Sequence, residues 1–381
     1  MVYRMTEWIE CTLDKLGEIV GGATPSTKCE DYYGGSIPWI TPKDLSSFKG
    51  RYITSGERNI TEKGLASCSA QMMPKDAVLF TSRAPIGYVA IASQSVCTNQ
   101  GFKSIVVNEK ADPLFVYYLL KYNKDAIEAM GSGTTFKEVS GKTMRAVKVR
   151  IPLDVSYQKR IAAVLDSLDT KIENNERIND NLLEQASSIY QAWFEDFILS
   201  DGSCPPSWKQ GTLAGIADIT SGKRPPVKSA EKTDNAIIPI VGAASVMGYT
   251  TEANHTDKIL VTGRVGTHGV VQRFNSPCWA SDNTLVITSA FYEYTFQILQ
   301  RIDYRTLNRG STQPLITQGD MNKVPILIPD NETLLKFETL VGQLMKQYQV
   351  NLLENDKLAE LRDALLPKLM SGEIDVSAVH F

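Results

Sequence analysis

Along residues 161–193 the chain steps by alternating fours and threes through Ile161, Leu165, Leu168, Ile172, Asn175, Asn179, Leu182, Ala186, Ile189 and Trp193. The same steps return through Phe337, Val341, Leu344, Tyr348, Asn351, Asn355, Leu358, Arg362, Leu365 and Leu369, displaced by 176. A heptad stripe of this length predicts a long amphipathic helix that must bury one face. Pro152 and Pro329 precede the two stripes and Ser371-Gly372 follows the second, as helix boundaries do. Elsewhere the pattern changes to short apolar runs broken by Gly, Pro and Ser. Val78-Leu79-Phe80, Val89-Ala90-Ile91, Ile105-Val106-Val107 and Val147-Lys148-Val149 predict strands in the first half. Ile259-Leu260-Val261, Val270-Val271 and Pro325-Ile326-Leu327-Ile328 predict strands in the second, and one helix is expected in each set, near 113–130 and 290–307.

The stripes belong to a longer duplication. Trp8, Leu13, Ile19, Gly22 and Pro25 recur 200 positions later as Trp208, Leu213, Ile219, Gly222 and Pro225. The run 76–83 answers 257–264, and Met144 and Ile151-Pro152 answer Met321 and Ile328-Pro329, the offset falling to 177 as loops shorten. The matches keep their order, which chance similarity would not do. Each copy is thus a mixed α/β (α+β) globule, 1–152 or 206–329, followed by a helix, 153–199 or 330–372, with a tail at 373–381.

The two helices are expected to pair. A core Asn costs stability but penalises a shifted register, because a slip leaves its amide facing Leu. The Asn pairs fit either direction; the connector decides. Helices of about 35–40 residues are roughly 55 Å long, and the stretch Leu199–Pro206 is too short to return along one of them. The pair should be antiparallel, with Asn175 facing Asn355 and Asn179 facing Asn351, and with a globule at each end.

Composition excludes several classes of protein. Hydrophobic residues are 43% and charged residues 22% of 381, as in a soluble globular chain, and no apolar run is long enough for a membrane span. The first eight residues lack a secretory apolar core, so a cytoplasmic location is expected. Six scattered cysteines without a CxxC and three histidines without ligand spacing point to reduced thiols and no metal. The net charge of −3 is uneven: +3 over 1–155, −4 over 156–200, 0 over 201–333 and −2 over 334–381. The acidity lies in the helices, so the globules are free to present basic faces.

No catalytic constellation is visible. The strings Cys204-Pro205-Pro206-Ser207 and Arg224-Pro225-Pro226-Val227 lack the leading polar residue and the aromatic of an adenine-methyltransferase motif. Gly141-Lys142-Thr143 has Phe136 where a phosphate loop needs Gly. There is no nucleophile elbow and no paired histidine.

The stretches Gly21-Gly22-Ala23-Thr24-Pro25-Ser26, Tyr33–Ile40, Asn99-Gln100-Gly101-Phe102, Gln158–Ile172 and Leu365–Ile374 together resemble the DNA-specificity (S) subunit of type I restriction–modification enzymes, over essentially the whole chain. The resemblance implies two pseudo-repeated mixed α/β target-recognition domains separated by an antiparallel two-helix coiled coil. Each domain would read one half of a split, asymmetric site in double-stranded DNA. The helices would set the gap and dock two modification subunits, which hold S-adenosylmethionine; restriction/motor subunits would add cleavage. This chain itself would carry no cofactor and no catalysis. Two other functions fit the residues less well: a duplicated scaffold that binds proteins rather than DNA, and a fused enzyme with unrecognised catalytic residues.

Base reading needs hydrogen-bonding side chains on loop tips. The repeated Thr-x-Arg supplies Thr81 and Arg83, then Thr262 and Arg264. Shared by heads that read different sequences, these Arg residues suit phosphate better than base, or else close a structural ion pair. The loop with Thr134, Thr135 and Lys137 answers the one with Arg309, Thr312 and Gln313 and differs from it, as a specificity loop should. Lys28, Lys43, Lys223 and Arg224 mark the loop after the first strand of each copy, where solvated lysines are also common. Tyr32, Tyr33 and Trp39 either stack on DNA or are buried, and Trp8 and Trp208 are assigned to the cores. Trp193, Phe194 and Phe197 either pack on the second globule or dock a partner; Val164 and Leu183 are further dock candidates.

Overall fold

The computed structural model describes residues 6–83, 85–133, 137–307, 309 and 315–379. It divides into two compact units: residues 1–177 with 352–381, and residues 178–351. The boundary cuts through both long helices, because each end of a helix is buried in its own unit.

In the first unit a five-stranded sheet runs Gly17–Gly21, Lys103–Val107, Val78–Ser82, Ile86–Ala92, Tyr52–Ile53 in spatial order. In the second unit the order is Ala217–Ser221, Thr284–Ser289, Ile259–Gly263, Val271–Phe274. The first four strands correspond one to one, so the sequence repeat is a repeat of topology. A second correspondence closes each globule. Trp8–Thr12 pairs antiparallel with Lys148–Pro152, and Lys209–Thr212 pairs antiparallel with Pro325–Ile328. The predicted strands are all present. The expected single helices are each two: Pro113–Tyr122 and Lys124–Ala129 in one copy, Tyr292–Arg301 and Tyr304–Leu307 in the other. Asn123 interrupts the first, its side-chain amide donating to the Leu119 carbonyl at 2.8 Å. Ile302 interrupts the second by turning to extended backbone.

Two glycines of the repeat are required by close approach. A Cβ on Gly22 would lie 2.0 Å from the Asn99 carbonyl oxygen, and one on Gly222 would lie 2.0 Å from that of Ser281. Only glycine lets these backbones cross.

The long helices are Val155–Phe194 and Asn331–Ser371. Asp154 and Asp330 accept amide hydrogens of their first turns, Ser156 at 2.8 Å and Thr333 at 2.9 Å. The second helix ends where Gly372 turns left-handed at φ +79°. Within the first unit the beginning of one helix lies antiparallel to the end of the other. Asn175 donates to Asn355 at 2.8 Å, and Arg362 donates to Asp169 at 2.7 Å. Within the second unit Asn351 donates to Asn179, also at 2.8 Å. Both expected Asn pairs form.

The stripes then enter the globule cores. Ile161, Leu165, Leu369 and Met370 join the first core with Leu13, Phe80 and Phe115. Leu182, Ala186, Phe337 and Val341 join the second with Leu213, Leu260 and Tyr294. Phe194 lies against Tyr294 (4.8 Å between centroids), Phe337 (5.1 Å) and Trp208 (5.5 Å). Trp193 meets Phe337 and Phe197 meets Trp208, so these aromatics pack on the second globule. Val164 and Leu183, expected on an outer face, are partly buried against the first and second cores. The exposed large apolar side chains of the second helix are instead Leu335, Leu340, Val350, Leu352, Leu353 and Leu361.

Candidate nucleic-acid interface

In each copy the Thr of Thr-x-Arg lies inside a fully buried strand. Thr81 and Thr262 have no exposed surface, and the Thr81 hydroxyl accepts the Tyr88 amide hydrogen at 2.8 Å. Neither can offer its hydroxyl to DNA in this fold, because strand alternation points them into the sheet packing. Arg83, just past the strand end, is about a third exposed and stands 3.8 Å from Glu138. Arg264 is half-buried; its amide donates to Asn283 at 2.8 Å and its carbonyl accepts from Ile316 at 3.0 Å.

Glu138 organises a cluster in the first unit. Its backbone pairs with Arg83 and Ser132, and the next amide, Val139, donates to Ser82 at 2.9 Å. Its carboxylate also meets Lys103 at 3.6 Å. Lys137 is exposed beside it. The helix Gly141–Ala146 follows, capped by Ser140, whose hydroxyl accepts the Thr143 amide hydrogen at 3.0 Å. Lys142 and Arg145 are exposed on this helix. Lys103 and Arg145 were not among the residues singled out from sequence, and Lys142 was named only in the rejected phosphate-loop string. The signal that could have found two of them was the Lys142/Arg145 spacing of three, which puts both on one side of a helical turn.

The other candidates are more dispersed. Lys28, Lys223 and Arg224 are exposed. Lys43 is exposed and bonded to Glu57 at 2.6 Å, which raises its pKa. Arg309 pairs with Asp320, and the Thr317 hydroxyl first, then this guanidinium, holds that carboxyl below its usual range. Thr134, Thr135, Thr312 and Gln313 lie outside the described residues. The aromatics brace the loop after the first strand. Trp39, buried, donates from its indole to the Ala23 carbonyl at 3.0 Å, and Tyr33 donates to Pro25 at 2.8 Å. Trp279 donates to the Lys223 carbonyl at 2.7 Å in the second copy. Trp8 packs edge-on to Tyr157, and Trp208, buried, donates to Asp330 at 2.9 Å.

This is a duplicated, helix-linked binding protein with divergent loops on a shared frame. The family model described as "Type I restriction modification DNA specificity domain" matches residues 5–184 and 205–362. The chain is 33% identical over 410 residues to the MjaIX specificity subunit of Methanocaldococcus jannaschii, covering 97% of this chain and 94% of that one. It is 21% identical to the HindI specificity subunit of Haemophilus influenzae, over 71% of this chain and 80% of that one. The crystal structure of a type I restriction–modification S subunit from M. genitalium has the same fold, with a TM-score of 0.61 over 97% of both chains at 18% identity. The chain belongs to the type I restriction–modification DNA-specificity family, whose specificity subunits are DNA-binding and non-catalytic. Its partners are accordingly DNA and other subunits of such a system. Among the described residues no helix is long and apolar enough to cross a membrane.

Proposed function

We propose that each globule recognises one half of a bipartite, asymmetric DNA sequence, and that the paired helices set the gap between the halves. The observation that carries this reading is the repeated sheet order with unlike loops at equivalent places. One frame used twice with different contact residues is what two half-sites of different sequence require. We assign DNA contact in the first copy to Arg83, Lys137 and Lys28, and in the second to Arg264, Arg309, Lys223 and Arg224. The helices would dock two modification subunits carrying S-adenosylmethionine, with restriction/motor subunits added for cleavage. Leu335 and Leu340, exposed on the second helix, supply apolar surface for such docking. The test is a map of methylated adenines in DNA from cells carrying this chain with a modification subunit. A two-part motif with a fixed gap is expected; a single continuous motif would overturn the proposal.

A further inference from the structure

The two globules differ in charge at one equivalent place. In the first, Arg83, just past one strand end, and Lys103, at the start of another strand, face Glu138. Around the position a Cβ on Gly141 would occupy, the Arg145 guanidinium comes within 3.6 Å and the Lys103 side chain within 3.8 Å. Exposed Lys137 adjoins Glu138 in the chain and exposed Lys142 follows Gly141, so five cations fall on this segment and its strand neighbours against the one carboxylate of Glu138.

The second copy can be aligned to this place by its hydrogen bonds. Gly21 pairs with Lys103, and the equivalent Ser221 pairs with Leu285. The bridge Arg83 to Glu138 corresponds to Val265 to Leu315, which corrects the match expected from the repeat by one position. Arg264 stands where Ser82 does, its carbonyl accepting from Ile316 as that of Ser82 accepts from Val139, and Arg83 is replaced by Val265. Both short helices are capped by a hydroxyl three residues before the amide it accepts, Ser140 for Thr143 and Thr317 for Asp320. Lys103 is therefore replaced by buried Leu285, Glu138 by Leu315, Lys142 by Gly319 and Arg145 by Asn322. The described cations of the second place are Arg264, Lys323 and Arg309, the last paired with Asp320.

We propose that Arg83, Lys103, Lys137, Lys142 and Arg145 form a phosphate-anchoring face on the first globule that the second lacks, so that the two globules hold DNA unequally. The inference rests on the DNA-recognition reading and adds a division of labour to it. The first globule supplies most of the salt-sensitive affinity. The second, whose cationic contacts are Arg264, Arg309, Lys223 and Arg224, supplies the smaller share, because fewer cations stand at this place and Arg309 is paired with Asp320.

The test is binding of the full chain to a mixed-sequence 30-base-pair duplex across a salt series. Removing one cation from a phosphate should make the slope of log affinity against log salt shallower by about one. Lys142→Ala/Arg145→Ala should flatten the slope by about two, while Gly319→Lys/Asn322→Arg should steepen it. Gly319 has room, since nothing lies closer than 3.7 Å to its added Cβ. Glu138→Gln should tighten binding, a gain that misfolding would not produce. A wild-type chain that binds this duplex without salt dependence would overturn the DNA reading itself. A steep wild-type slope left unchanged by Lys142→Ala/Arg145→Ala, or a Glu138→Gln variant that binds no more tightly, would overturn the anchor alone.

Discussion

Arg51 shows how much one side chain can organise. It is almost fully buried, pairs with Asp166, donates to Glu173 at 2.8 Å and to Thr170 at 2.8 Å, and so clasps the first sheet to the first long helix. These carboxylates hold its pKa above the usual arginine value despite its burial. Glu338 is the titratable counterpart in the second unit. Its two oxygens accept the amide hydrogens of Glu293 (3.1 Å) and Tyr294 (2.8 Å) at the start of the helix Tyr292–Arg301. Burial outweighs those bonds and raises its pKa from 4.5 to about 7; Glu293 adds repulsion and Arg273 opposes it. For an acid whose folded pKa is raised, the folded state holds the extra proton, so stability falls as pH rises between the two values. This carboxyl should therefore weaken the second unit between pH 4.5 and about 7. Thermal melts across that range should decline less steeply for Glu338→Gln than for the wild type; parallel declines would remove Glu338 as the cause.

At the scale of elements, the helix pairing is held in register by amides within the stripes. Asn179 and Asn351 are buried and bonded to each other, and the Asn179 amide also donates to the Tyr348 carbonyl at 3.3 Å. Replacing one by Leu leaves the other without its partner, at a cost of about 1–3 kcal/mol. Replacing both removes the unpaired group, and the double variant should be more stable than either single one. Urea denaturation of Asn179→Leu, Asn351→Leu and the double variant measures the coupling; additive losses would show that the pair does not act as a unit. The seam was legible because fours and threes alternating over ten positions mark one face of a helix and suit no strand or loop. The break at Asn123 was not, since no Gly or Pro marks it; there the backbone leaves the helix while the side-chain amide joins the backbone amide on the Leu119 carbonyl.

At the scale of the molecule, duplication conserved the frame while the chemistry attaching each globule to its helix ends diverged. In the first unit charged and polar bonds are added to the apolar packing, through Arg51 on Asp166 and Glu173 and through Tyr118 on Asp169. In the second the attachment is largely aromatic, through Tyr190, Phe194, Phe337 and Tyr294. If the helices set the gap, four residues added near Asn179, with a matching addition near Asn351, should lengthen it by about one to two base pairs, from a rise of 1.5 Å per helical residue. Both half-sites should stay the same. An unchanged methylated motif would contradict the spacer role.

The repeat, the strands, the antiparallel Asn pairs and the family were contained in the order and spacing of residues, because periodicity and close-packed glycines leave a linear record. What only the tertiary structure decided was which polar residues face water. Thr81 and Arg83 are two positions apart, yet one is sealed in a sheet and the other reaches Glu138 past the strand end. Lys103, Lys137 and Arg145 come from separate elements, and only strand pairing and the capped turn at Ser140 gather them. Charge acts through distance in space, and linear spacing does not record distances set by long-range pairing.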